Sequence, residues 1–282
     1  MNHRDDPTNR FGGQPEGEES EQEALVEEVW RSYLTTGSHY RERRFRQIFR
    51  ILPGHPRCKW CYVPFEGFGG TVAKVVFNRR PSILNPHLCN VCEIYAKKYQ
   101  GGAEIELSLL FVDVRGSTAL AETMSPMEFS KLINRFYKAA TEVLVHSDAF
   151  IDKIIGDQVA GMYVPGFAGP EHPRRAIEAA QAILRAAGYG GEGEPWIPLG
   201  AGVHTGIAFV GSLGSEHGTY DITVLGDTPN TAARLSTSAR KGEILISEAT
   251  STASGLDFSA LEQRELQLKG KHETVRVWVM QV

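Results

Sequence analysis

Apolar positions Leu25, Val26, Val29, Trp30, Tyr33 and Leu34 recur at helical spacing and predict an amphipathic helix from Ala24. Tyr40 to Leu52 continues in helical register, with Arg41, Arg43, Arg44, Arg46 and Arg50 around Phe45, Ile48 and Phe49, until Pro53-Gly54 stops it. Between residues 53 and 96 the periodicity is weak. Thr71 to Phe77 predicts a strand there, among the turns Arg80-Pro81-Ser82 and Asn85-Pro86. From Ile105 to Val282, apolar strands alternate with amphipathic helices, which reads as one domain of strands and helices.

Within that domain Leu107 to Val112 is an almost wholly apolar strand. Ser125-Pro126-Met127-Glu128 carries an N-cap, a proline at the first helical position and a capping-box glutamate, so a helix opens there. Phe150 to Tyr163 reads as a hairpin with Gly156-Asp157 at its two-residue turn. Pro173 to Ala187 is a helix, and Leu199 to His204, Ile207 to Val210, Tyr220 to Leu225 and Val275 to Val279 are strands. Gly226-Asp227-Thr228-Pro229 caps a further helix, on which Asn230 and Arg234 share a face.

Charge and composition narrow the possible roles. Residues 1–24 hold seven acids, two arginines and almost nothing apolar, so they are expected to form a disordered acidic tail before a helical segment at 25–52. A net charge of −4 gives no global attraction to nucleic acid or anionic lipid. The arginine-rich helix is therefore read as a solvated basic face, with an acidic or nucleic-acid partner as the alternative. No apolar run reaches the roughly 18 residues of a membrane span, and the polar N-terminus is unlike a signal peptide. A cytoplasmic location is expected.

All four cysteines form one motif. Cys58-Lys59-Trp60-Cys61 and Cys89-Asn90-Val91-Cys92 are two C-x-x-C pairs separated by 27 residues, a spacing that brings four thiolates around one ion. Residues 53–96 are expected to be a small metal-binding module of ribbon or treble-clef type, because a core this thin needs a metal. Structural Zn²⁺ is the leading occupant. An iron–sulfur cluster and a reactive dithiol pair are the alternatives. Residues 97–104, with Lys97, Lys98 and Gly101-Gly102, read as a linker.

The strand ending at Val112 runs into Asp113, a costly place for a carboxylate unless a cation or strong donors meet it; an ion pair with Arg115 is the plainer possibility. If the hairpin lies beside that strand, Asp157 comes next to Asp113, and two adjacent carboxylates suit divalent, oxygen-seeking ions and phosphoryl chemistry. Asn230 and Arg234 have the chemistry to hold a ribose and a phosphate oxygen. The lysines of Leu268-Lys269-Gly270-Lys271 have the reach for a triphosphate, and His204 is expected to be a satisfied strand histidine.

Together, Phe111-Val112-Asp113-Val114-Arg115-Gly116-Ser117-Thr118, Lys153-Ile154-Ile155-Gly156-Asp157, Gly202-Val203-His204-Thr205-Gly206, Leu225 to Arg234 and Leu268 to Lys271 resemble the catalytic domain of class III nucleotidyl cyclases over about residues 105–282. The resemblance implies an α+β, ferredoxin-like core that pairs head to tail as a homodimer, with the active site between subunits. It implies that Asp113, Asp157 and the Val114 backbone carbonyl hold two Mg²⁺ or Mn²⁺ ions. Lys153 and Thr223 would read the base, Asn230 would orient the ribose, Arg234 would stabilise the α-phosphate and Lys269 would bind the terminal phosphates. The Lys/Thr pair is similar to a bacterial subgroup that makes cyclic AMP from ATP. Guanylate cyclases usually carry glutamate in place of the lysine. Cyclisation of GTP or a pyrimidine nucleotide is the alternative, and a non-catalytic scaffold or sensor is the rival of a different class.

Overall fold

In the computed structural model, which describes residues 16–37, 40–214, 220–270 and 274–282, a central strand β1 (Gly101–Val114) organises the sheet. It is preceded by α1 (Glu16–Thr36), α2 (Tyr40–Ile51), α3 (Gly67–Phe77) and α4 (Asn90–Lys98). After it come α5 (Ser117–Thr123), α6 (Pro126–His146), β2 (Phe150–Ile155), β3 (Gln158–Tyr163), α7 (Pro165–Ala168) and α8 (His172–Ala186). The chain continues through β4 (Leu199–Gly214), β5 (Tyr220–Leu225), α9 (Asp227–Ser238), β6 (Glu243–Ser247), α10 (Glu248–Ser254), β7 (Glu262–Leu266) and β8 (Val275–Gln281).

The sheet order is β2-β3-β1-β4-β6-β8-β7, and β5 pairs with the far half of β4. Every pairing is antiparallel except β4 with β6. Side chains alternate along β1, so Ser108 and its partner Thr205 face α8, where Ser108 Oγ lies 2.9 Å from His172 Nδ1 and 2.7 Å from Thr205 Oγ1. Phe111 and its partner Gly202 point the other way, toward α9. Only glycine fits there, since a Cβ at 202 would lie 2.4 Å from the Ser236 nitrogen.

Burial holds His172 neutral, with its pKa pushed down to about 4. In the unfolded chain it titrates near 6.5, so between these values the unfolded state binds the extra proton. Stability is therefore expected to fall as pH drops from 6.5 toward 4, by up to about 3 kcal/mol from this group. Urea titrations across that range should show His172→Gln with a shallower slope; an unchanged slope would refute the assignment.

The N-terminal region departs from the sequence expectations in several places. Helix α1 begins at Glu16, inside the stretch read as a tail, while residues 1–15 lie outside the described residues. Thr71 to Phe77 is helical, not a strand. Its small residues explain why: Gly69, Gly70 and Ala73 form the buried face, and a Cβ at Gly69 would lie 1.9 Å from the Pro53 carbonyl oxygen. The exposed Val75 and Val76 are the β-branched residues that mimicked a strand. The linker is also shorter than expected, because Lys97 and Lys98 end α4 and Gly101 already pairs with Ser212. Leu199 to Val210 is one continuous strand, in which Thr205 and Gly206 pair with Ser108 and Leu107.

The arginine-rich helix is more than a solvated face. Arg46 is 3% exposed, with its guanidinium 3.8 Å from the Phe150 ring centroid and 4.0 Å from that of Tyr62. It donates to the carbonyls of Trp60 at 2.7 Å and Ala149 at 3.3 Å. Arg50 pairs with Asp148 at 3.3 Å, and Arg43 and Arg44 are exposed. Trp60 also stacks on Phe150 at 3.9 Å, so the cysteine region shares one hydrophobic core with the sheet. Among the described residues, no helix is long and apolar enough to cross a membrane.

Candidate active site and cysteine centre

The hairpin β2-β3 closes at Gly156-Asp157, with Gly156 at φ +63°, and β3 lies beside β1 with Asp113 opposite Gln158. Asp113 and Asp157 therefore come together at one end of the sheet, where the Val114 N–H donates to the Asp157 carbonyl at 3.0 Å. Asp113 Oδ1 is ion-paired with Arg115, whose guanidinium also donates to the Thr237 carbonyl at 2.6 Å. Asp157 Oδ2 accepts the Ser117 hydroxyl. Burial pushes the Asp113 carboxyl up, Arg115 opposes this and the like charge of Asp157 adds to it. Two adjacent carboxylates, that of Asp113 partly desolvated, form a hard-oxygen donor set, which fits Mg²⁺ or Mn²⁺.

Lys153 and Thr223 meet from different strands. Lys153 is exposed on β2, with Nζ 3.8 Å from Asp152 Oδ2, and Thr223 on β5 donates to Asp152 Oδ1 at 2.8 Å. Asp152, buried between the two, escaped the sequence reading. The available signal was a carboxylate next to the candidate lysine on an otherwise apolar strand. Lys59 was missed in the same way. This residue between the first two cysteines is 8% exposed, ion-pairs with Asp221 of β5 at 2.5 Å and donates to the Asp152 carbonyl at 3.4 Å. Its own carbonyl accepts the Ile151 N–H at 3.2 Å, so the first C-x-x-C turn sits on the edge of β2. A cavity of about 670 Å³ opens here, lined by His55, Arg57, Lys59, Tyr137, Asp152 and Lys153 among others.

Asn230 is exposed and Arg234 half-buried on α9. A Cβ at Gly270 would lie 3.3 Å from Arg234 Nη2, which brings the turn bearing the exposed Lys269 alongside Arg234. Lys271 lies outside the described residues. Among the described residues, no hydrogen bond or ion pair joins Asp113 or Asp157 to Lys153, Thr223, Asn230 or Arg234. His204 is satisfied by Ser247 Oγ at 2.8 Å.

The four cysteine sulfurs are buried and lie within 4.8 Å of one another, with Cys61 and Cys89 Sγ 3.7 Å apart. Four thiolates about one tetrahedral ion with bonds of about 2.3 Å would be about 3.8 Å apart, so the set fits a metal. Arg79 donates to Cys89 Sγ at 3.4 Å, and hydrogen bonds from Cys58, Cys61 and Cys92 hold the Cys89 thiol far below the usual thiol range.

A mixed, mainly antiparallel sheet with helices on both faces and two carboxylates at a strand end and a hairpin tip is the architecture of a nucleotide cyclase catalytic domain. Residues 100–281 match the model of the adenylate and guanylate cyclase catalytic domain, and the chain belongs to that family. An adenylate cyclase of Anabaena cylindrica is 30% identical over 183 residues, which are 61% of this chain and 36% of that protein. An adenylate cyclase of Mycobacterium tuberculosis is 29% identical over 192 residues, 66% of this chain and 41% of that one. The chain thus matches well under half the length of these relatives. Among solved structures, the guanylyl cyclase Cya2 aligns with a TM-score of 0.56 and 26% identity over 64% of this chain and 93% of its own. The adenylyl cyclase CyaB of P. aeruginosa shares the fold, with a TM-score of 0.54 and 24% identity over 64% of this chain and 95% of its own.

Proposed function

We propose that the protein converts ATP to 3′,5′-cyclic AMP and pyrophosphate in a head-to-tail homodimer. The observation that carries this reading is the meeting of Lys153 and Thr223 at Asp152, in a chain that also brings Asp113 and Asp157 together. The separation of these two groups within one chain favours sites completed by a second copy, so that a symmetric dimer has two. Asp113, Asp157 and the Val114 carbonyl would hold two Mg²⁺ or Mn²⁺ ions, which when bound supply charge neutralisation and an activated 3′-oxygen. Lys153 and Thr223 position the adenine, Asn230 the ribose and Lys269 the terminal phosphates. The 3′-oxygen forms its bond to the α-phosphorus in line, the bond to the bridging oxygen breaks, and pyrophosphate departs as the 3′-hydroxyl proton is lost. Arg234 stabilises the charge on the α-phosphate as this happens.

The cysteines would hold a single ion. Their spacing supports zinc over a cluster, since thiolates bound to different irons stand further apart. GTP is the second reading and draws on the likeness to the guanylyl cyclase Cya2. Incubation of the metal-replete protein with ATP, GTP, CTP or UTP and Mn²⁺, followed by mass spectrometry, tests the reading. Cyclic AMP should predominate, whereas another cyclic nucleotide overturns the base assignment and no product from a verified dimer overturns the activity. Lys153→Ala with Thr223→Val is expected to raise KM for ATP by about tenfold with a smaller change in kcat, since base contacts are made before and during the reaction alike. Steady-state kinetics on the dimer checks this, and an unchanged KM contradicts it.

A further inference from the structure

Asp152 has no place in the scheme above, yet its side chain is wholly enclosed and bonded to a base-reading residue. Thr223 donates its hydroxyl proton to Asp152 Oδ1, while Oδ2 accepts no hydrogen bond among the described residues and faces the Lys153 ammonium at 3.8 Å. Burial pushes the Asp152 carboxyl up, and the charges of Lys153 and Lys59 and the Thr223 hydroxyl work against that.

A hydroxyl has one proton and two lone pairs, so an unrestrained threonine reads an amino group or a carbonyl equally well. Once its proton is committed to Asp152, Thr223 offers a ligand only lone pairs. Lys153 offers only protons. The two together present a donor beside an acceptor. The base edge of a 6-aminopurine complements them, with a ring-nitrogen acceptor beside an amino donor, and so does that of a 4-aminopyrimidine. A 6-oxopurine or 4-oxopyrimidine reverses both groups, setting N–H against ammonium and carbonyl against lone pair.

We propose that Asp152 is a specificity-determining positioning residue: by holding the Thr223 proton it makes the site select amino-bearing bases, those of ATP and CTP, over the oxo-bearing bases of GTP and UTP. The proposal rests on Lys153 and Thr223 being the base readers. The cysteine centre contributes through Lys59, which ties the main chain of Asp152 to Asp221 and so fixes β2 against β5.

The test measures binding of the four 3′-deoxynucleoside triphosphates, which cannot cyclise, to the full metal-replete chain, together with kcat and KM for ATP and GTP. The wild-type protein should bind the ATP analogue over the GTP analogue and the CTP analogue over the UTP analogue, by about tenfold or more in each pair. Asp152→Asn supplies an amide that donates to the Thr223 oxygen and releases its proton. It should collapse both ratios through KM, with kcat for ATP little changed. Thr223→Ser keeps the bond and should preserve the ratios, and in a Thr223→Val background Asp152→Asn should change nothing further.

Wild-type indifference between amino and oxo bases overturns the proposal, and that measurement requires no variant to fold. Equal weakening of all four ligands by Asp152→Asn also overturns it, because a tie between strands would act that way. If Lys153→Ala and Thr223→Val leave the ratios untouched, the base-reader assignment itself has failed.

Discussion

Replacing Asp113 or Asp157 with alanine is expected to lower cyclase turnover at least about a thousandfold while leaving the proposed dimer intact. Each carboxylate would be a ligand to ions that neutralise the charge of the reacting phosphates, and neither neighbour can replace it, since Gln158 is neutral and Arg115 is a cation. The fold should tolerate the change. The Arg115 guanidinium keeps its bond to the Thr237 carbonyl, and the hairpin keeps the main-chain bond from Val114 to Asp157. Sedimentation would report the dimer, and product formation with Mn²⁺ would report the activity. Turnover within a few-fold of wild type would remove both residues from the metal assignment.

Removal of the ion proposed for the cysteines is expected to lower the thermal midpoint of the whole chain by about 10 °C or more, in one transition. A structural thiolate site contributes several kcal/mol to folding, and about 1 kcal/mol moves the midpoint of a chain this size by about 2–4 °C. A single transition follows from the packing, because Trp60 stacks on Phe150 and Arg46 bonds to carbonyls on both sides of the junction. Calorimetry of the protein before and after chelation, and of Cys58→Ser, would measure this, and elemental analysis would distinguish zinc from iron. An unchanged midpoint in verified metal-free protein would refute a structural ion.

Several of the strands and helices after residue 105 were legible because each carries its own local signal, whereas the short elements α5, α7, β6, α10 and β7 were not read. The capping box at Ser125 appears as read, with Glu128 Oε2 accepting the Ser125 N–H at 2.9 Å. So does the two-residue turn that delivers Asp157. Two of the misreadings share one cause, since local composition was outweighed by packing and pairing against other segments. Val72, Val75 and Val76 suggested a strand, but Gly69 and Gly70 allow a helix to lie against the main chain of Pro53 and Phe65. Thr205-Gly206 suggested a break, but β1 pairs straight across it.

At the site, the motif residues could be named from the sequence, and the buried charges that contact them could not. Asp152 is bonded to a threonine 71 positions away, and Lys59 lies 93 positions from the carbonyl it reaches. Periodicity says nothing about such partners. A buried charge beside a candidate ligand is the feature to look for.

The seat of the first cysteine pair on β2 also bears on solubility. β2 is the outermost strand of the sheet on that side, and an uncovered outer strand invites pairing with another molecule. The Lys59 carbonyl takes the Ile151 N–H, and Trp60 covers Phe150 beneath it. A cyclase domain stripped of this cover would present both a hydrogen-bonding margin and an aromatic face to its neighbours, and is expected to aggregate more readily than the full chain.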